Sequence, residues 1–335
     1  MNETTETRQL ITLDSLDPPV QCTYHKPHRQ SFDLEAQLEA RNRHGVLFLN
    51  PLSLPRAAIG DSAVFWAESI AECGYPSFRV DMPGFGDSVG EIPTGLVDFI
   101  NMGGYASITA AKVKELAQRF DLAGVVIVGH CAVAVSAIYT AAAVGRTCKG
   151  LVLMDPYFHV PQMAESKVWG KLASRVSLSK FGGIFNHIRD HLNNASLFLR
   201  RNKLPENANI NLLNSWKQLT AAQFPILILK AAQLTVPDAK PRRVDFDYLK
   251  CIQKLAGKKS QVDIKLIYGA EHSFADRIGR TAVLQHMEAW LKAYFPLEQC
   301  EVSRVDSLRS KASGSNEFGK RYQMISSRLD CDLES

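Results

Sequence analysis

Short, mostly apolar runs alternating with helical stretches are the strongest constraint on how this chain folds. Val46–Leu49, Ser77–Val80, Val125–Val128, Leu151–Met154, Ile226–Leu229 and Val262–Tyr268 read as strands of four to seven residues. Strands that are apolar along their whole length are buried on both faces, which requires helices on both sides of a sheet. Helical spacing fills the gaps. Residues 61–73 place Val64, Phe65, Ala67, Ile70 and Ala71 on one face, with Asp61 or Ser62 as cap and Gly74 as stop. Further helices are predicted at 104–120, 131–144 and 277–294, and one or two early strands within 1–44, such as 20–25. The predicted fold class is α/β, a mostly parallel sheet with helices on both faces.

The alternation stops between Met154 and Pro225, where helical spacing at 164–176, 182–199 and 210–222 has no strand runs beside it. The chain therefore reads as an N-terminal segment (1–44), a first core part (45–156), an inserted helical lid (157–224), a second core part (225–298) and a mobile tail (299–335). A hydrophobic content of 46% with a net charge of +5 excludes disorder as the main state. That small charge also gives no field for nucleic acid, and no apolar run is long enough to span a membrane. Seven scattered cysteines, with no CxxC and no zinc spacing, suit a reduced, cytoplasmic protein without a metal. No cofactor is implied, and the oligomeric state is not readable.

The chemistry concentrates in VVIVGHCAVAVSAIYTAAA, residues 125–143. A buried strand runs directly into Gly129-His130-Cys131-Ala132-Val133 and then into a helix of small residues. A sharp turn there exposes one side chain, Cys131, at the C-terminal edge of the sheet. The helix N-terminus beside it favours a thiolate and offers backbone N–H groups to a developing oxyanion. Most cysteines are inert buried hydrophobes, but few of those stand at the apex of such a turn.

Over about residues 45–295 the chain resembles the α/β-hydrolase superfamily with a lid. Gly45-Val-Leu-Phe-Leu-Asn50-Pro51-Leu52 is similar to the strand leading to the oxyanion segment. Asp81-Met-Pro-Gly-Phe-Gly-Asp-Ser88 resembles the D-x-x-G-x-G-x-S loop, Pro225–Lys230 the strand before the acid loop, and Tyr268-Gly-Ala-Glu-His272-Ser-Phe the histidine loop. More narrowly, Gly129-His-Cys131 with Ser136-Ala137, and Leu234-Thr235, are similar to cysteine-type hydrolases associated with exosortase systems.

The resemblance implies Cys131 as nucleophile, His272 as base, and the backbone N–H groups of Leu52 and Ala132 as oxyanion donors. Three positions depart from the pattern. Cys131 replaces serine, Val133 replaces the second elbow glycine, and Gln233 stands where an aspartate is usual. By alignment Gln233 orients His272 through its amide oxygen. Asp155, just after Leu151–Met154, is a turn residue before Pro156 or the alternative third member. His130 reads as a packing residue, and Asp81 and Asp87 as structural.

The implied activity is attack by Cys131 on an ester or thioester of a small-molecule acyl substrate, through an acyl-enzyme. The alternatives are a non-catalytic binding protein on the same fold, motivated by Val133 and the missing aspartate, and an acyltransferase. Residues 161–224 hold nine basic and three acidic side chains, a local +6. This is either a solvated lid surface or a device that steers an anionic, carrier-bound acyl group.

Overall fold

The apolar runs are strands, and they pair as buried parallel strands must. In the computed structural model, residues 7–27, 43–49, 54–160, 204–232 and 246–297 are described. In chain order they form β1 (Arg8–Leu13), β2 (Val20–His25), β3 (His44–Leu49), α1 (Ser62–Glu72), β4 (Ser77–Val80), α2 (Leu96–Asn101), α3 (Ala106–Arg119), β5 (Gly124–His130), α4 (Ala132–Val144) and β6 (Cys148–Met154). After β6 come α5 (Ile210–Ala221), β7 (Ile226–Ala232), α6 (Tyr248–Ala256), β8 (Val262–Tyr268) and α7 (Arg277–Tyr294).

The strands form one eight-stranded sheet in the order β1-β2-β4-β3-β5-β6-β7-β8. β1 and β2 pair antiparallel with each other, as β2 does with β4, and every other neighbour is parallel. From β3 the chain moves to β4 on one side and then to β5 on the other. Such a reversal opens a crevice at the C-terminal ends of the strands, where open α/β sheets bind their ligands.

β5 and β6 are the centre of the core: Val125, Val126, Ile127, Leu151, Val152 and Leu153 are all fully buried. α4 is buried along nearly its whole length, because alanine, serine and threonine let it lie close against the sheet. Asn209, Asp247 and Asp276 cap α5, α6 and α7, each accepting a backbone N–H with its side chain.

Within the described residues the predicted strands and helices are present with small shifts at their ends. β1 and β2 are the two early strands of the N-terminal segment, while the one-and-a-half-turn α2 and α6 have no counterpart in the sequence reading. The helix expected at 210–222 is α5. Its Trp216 is fully buried, meets Phe158 edge-on at 5.5 Å, and belongs to the main core cluster. Lid helices expected at 164–176 and 182–199, and the tail 299–335, lie outside the described residues. The chain leaves and re-enters the described body at one place: Val160 N–H donates to Asn207 O at 2.7 Å, and His159 bridges Ala208.

Candidate active site

Strand pairing sets the site before any side chain is considered. In the ladder His130 stands opposite Met154, and Met154 opposite Leu229. One step further on, Cys131 N–H donates to Met154 O and Asp155 N–H to Leu229 O, each at 2.8 Å. Cys131, Asp155 and Lys230 are therefore neighbours at the C-terminal ends of β5, β6 and β7. Cys131 turns the chain into α4 with φ 54° and ψ −120°, and Asp155 also has a positive φ, 48°. Non-glycine residues hold such conformations only where the surroundings impose them.

Gly129 shows what the turn requires. A Cβ there would lie 2.8 Å from Val133 O and 2.9 Å from Ala134 Cα. The first turn of α4 closes over this glycine so tightly that no side chain fits. Val133 itself is buried at 4% exposure and is accommodated.

His272 comes from the loop between β8 and α7. Three contacts fix that loop. His130 Nε2 donates to His272 O at 2.7 Å, Phe274 is fully buried, and Asp276 Oδ2 accepts the Glu271 N–H at 3.2 Å. His272 Nδ1 then donates to Asp155 Oδ2 at 2.5 Å, and the Cys131 side chain lies near enough to the same imidazole to favour its protonated form. Lys230 Nζ lies 2.5 Å from Asp155 Oδ1. Thiol, imidazole and carboxylate stand in a row, with a lysine behind the carboxylate.

The charges reinforce one another. Its hydrogen bond to the Asp155 carboxylate, and then the neighbouring Cys131, raise the pKa of His272 to about 10 against an ordinary 6.5. Burial pushes Asp155 upward, but hydrogen bonds and charge from His272 and Lys230 outweigh it and hold the carboxyl below its ordinary value. Burial pulls His130 down to about 4, so it is a neutral donor to the His272 carbonyl at physiological pH. The row can carry an imidazolium between two anions, and a thiol so placed can pass its proton to the ring.

Residues 56–299 match the family model described as alpha/beta hydrolase fold. The chain belongs to the alpha/beta hydrolase fold family. No curated protein matches it. Among solved structures it is similar to an esterase of Pyrococcus furiosus (TM-score 0.52, 13% identity, 86% of this chain and 91% of that one). It is also similar to Est1E of Butyrivibrio proteoclasticus with ferulic acid bound (0.51, 12%, 84% and 99%), and to DcsB with its substrate analogue (0.51, 13%, 86% and 99%). At these identities the likeness is one of fold.

The hydrolase fold accounts for the D-x-x-G-x-G-x-S loop structurally. The fully buried Asp81 accepts from the backbone N–H of Arg56 at 2.6 Å and of Asp87 at 3.1 Å, and also pairs with the Arg56 guanidinium. A Cβ on Gly86 would meet the Asp81 carboxylate at 2.4 Å, so only glycine fits. Asp87 reaches the same guanidinium at 2.7 Å. Neither aspartate is part of the row at Cys131, as the sequence reading expected.

Of the predicted site residues, Cys131 and His272 are brought together, and Ala132 opens α4. The N–H of Ala132 is one of the first four in that helix, which have no intrahelical acceptor. Leu52, Gln233 and the Leu234-Thr235 pair lie outside the described residues. The Nδ1 partner of His272 is Asp155, which the sequence held only as an alternative to Gln233. Lys230 was missed altogether: only the strand register, which sets it one residue past the partner of Met154, brings it to the site. Among the described residues no group of three or more His, Cys, Asp or Glu is placed to hold a metal ion, and no helix is long and apolar enough to cross a membrane.

Proposed function

We propose that the protein is a cysteine-dependent hydrolase of the alpha/beta hydrolase fold, cleaving an ester or thioester through an acyl-enzyme. Cys131 is the nucleophile, His272 the proton carrier, and Asp155, rather than Gln233, the residue that orients the imidazole. The single observation that carries this reading is the continuous row from Cys131 through His272 to Asp155 at the ends of adjacent strands.

A thiol is a better nucleophile than an alcohol once its proton is taken by an adjacent base. In this reading the Cys131 proton passes to His272, whose protonated form is favoured first by its hydrogen bond to Asp155. The thiolate sulfur attacks the acyl carbon, and the carbonyl π electrons move to oxygen. The N–H of Ala132, with that of Leu52, stabilises the oxyanion, typically worth about 3 kcal/mol per donor. The tetrahedral species collapses, its C–O or C–S bond breaks, and His272 donates its proton to the leaving oxygen or sulfur. Water then attacks the acyl-cysteine, gives a proton to His272, and the acid departs with the thiolate restored.

The esterase of Pyrococcus furiosus and Est1E with ferulic acid are consistent with acyl-bond cleavage as the reaction class.

Incubation with p-nitrophenyl acetate, followed by intact-mass spectrometry, tests the reading. Wild type gains one acetyl group on Cys131, and Cys131→Ala gains none. Equal acylation of the two proteins overturns the assignment of the nucleophile. Iodoacetamide alkylation that is already at its plateau below about pH 7 supports a thiolate. A simple rise through about 8.5 supports a binding protein instead.

A further inference from the structure

Asp155 is 4% exposed in its side chain and carries a different group on each oxygen: His272 Nδ1 on Oδ2 and Lys230 Nζ on Oδ1, both at 2.5 Å. The second contact is built into the sheet. Asp155 N–H donates to Leu229 O, so the carboxylate emerges beside the next residue of β7, which is Lys230. We propose that Lys230 is a positioning residue of the active site, pinning the Asp155 carboxylate toward His272 and keeping it ionised despite its burial. The proposal rests on the hydrolase reading for its consequence in catalysis, but not for its geometry.

A buried carboxylate with a single partner has two costs. It rotates, because one hydrogen bond leaves its second oxygen unrestrained. It also protonates more easily, because desolvation disfavours the anion. Lys230 opposes both through its ion pair with Oδ1. Its stem reaches from the strand while its side chain stays 36% exposed, so the ammonium remains partly hydrated and does not itself become a buried charge. The charged and titratable groups that face Asp155 are His272 from the loop before α7, Lys230 from β7, and His130 from β5, with Cys131 acting through His272. Of these, Lys230 is the ion-pair partner that exchanges no proton in the proposed reaction. His272 gains and loses its proton in the reaction, and Lys230 holds the carboxylate ionised throughout that cycle.

The test uses the full chain as wild type, Lys230→Met, Lys230→Gln and Lys230→Arg, with two readouts. The first is the ¹⁵N and ¹H NMR titration of the His272 ring, whose low-pH inflection reports protonation of Asp155. Losing a neighbouring opposite charge raises a carboxyl pKa by one unit or more, and a partly exposed partner belongs at the low end of that range. Lys230→Met is expected to move the inflection up by about one pH unit, a roughly tenfold change in proton affinity. Lys230→Gln keeps a hydrogen-bond donor without charge and serves if the methionine variant does not fold. It moves the inflection in the same direction. Lys230→Arg restores it. Superimposable titrations for wild type and the uncharged variants overturn the proposal.

The second readout is the pH profile of acylation by p-nitrophenyl acetate. Its acid limb is expected to move with the NMR inflection, which a merely structural residue would leave unmoved. If wild type is not acylated on Cys131, the hydrolase reading fails, while the NMR titration still decides the role of Lys230.

Discussion

Asp155 combines a positive φ of 48°, near-complete burial and two charged partners, and His272 inherits the consequence. Its pKa of about 10 in the folded protein, against 6.5 without these neighbours, means that folding favours the imidazolium. That contribution is fully present below about pH 6.5 and is lost as pH rises toward about 10. Urea unfolding of wild type and His272→Gln measures it. The advantage of wild type is expected to be largest near pH 6 and to vanish by about pH 10.5, modest in size because the ring is 60% exposed. A difference that stays constant with pH refutes the assignment. The sequence offered Cys131 and His272 plainly, since each stands beside a recognisable turn. It offered Gln233 and Asp155 as rivals, because the choice depends on which strand end faces the imidazole. That is a matter of pairing register between β6, β7 and β8, and no local pattern encodes it.

At the scale of elements, the elbow shows which departures from the family pattern matter. Gly129 is forced: Gly129→Ala would place a methyl group 2.8 Å from a backbone oxygen and 2.9 Å from a backbone carbon. We expect about 2 kcal/mol of destabilisation from the backbone shift this demands, together with slower acylation as Cys131 moves. Val133 is a different case. It is buried in α4 and packs in the core cluster. Val133→Gly, although it restores the family's second glycine, is expected to cost about 2–3 kcal/mol in lost burial and helix propensity and to leave acylation no faster. Chemical denaturation and burst acylation check both. An active and more stable Val133→Gly protein would show that the valine distorts the turn.

The same scale explains what the sequence could and could not reveal. β3 through β7 are short, largely apolar runs because they are buried along most of their length; β8 lies at the sheet edge with only Ile267 buried, and its apolar Val262, Ile264, Leu266 and Ile267 were enough to mark it. β1 is half exposed at an antiparallel edge, with only Ile11 and Leu13 buried, and its polar start blurs its position. α2 is six residues long, too short for its spacing to register. α6 fully buries Ile252 alone, and its Tyr248, Leu249, Leu255 and Ala256 are half-buried against the core, a short apolar stripe in only nine residues.

For the molecule as a whole, the question is how the charged insertion relates to the sheet. The described residues on either side of 161–203 meet each other. Val160 and Asn207 share a hydrogen bond of 2.7 Å, His159 and Ala208 form a bridge, and Trp216 beyond them is fully buried. The excursion holds eight of the basic residues and two of the acidic ones, so it carries the whole local +6 while the rest of the chain is nearly neutral. Replacing 161–203 with a short Gly/Ser linker is therefore expected to preserve cooperative unfolding and the far-UV spectrum, because the loop ends already meet. The substrate dependence should change. For an anionic thioester, KM is expected to rise, and its increase with ionic strength, visible in wild type, to flatten; KM for a neutral ester should lose no salt dependence, having none to lose. In the intact chain, the double substitution Arg200→Glu and Arg201→Glu is expected to move the anionic substrate in the same direction by a smaller factor. If excision unfolds the protein, 161–203 belongs to the core. If KM for the anionic thioester is unchanged by either variant, the positive charge is only solvated surface and plays no part in bringing substrate to Cys131.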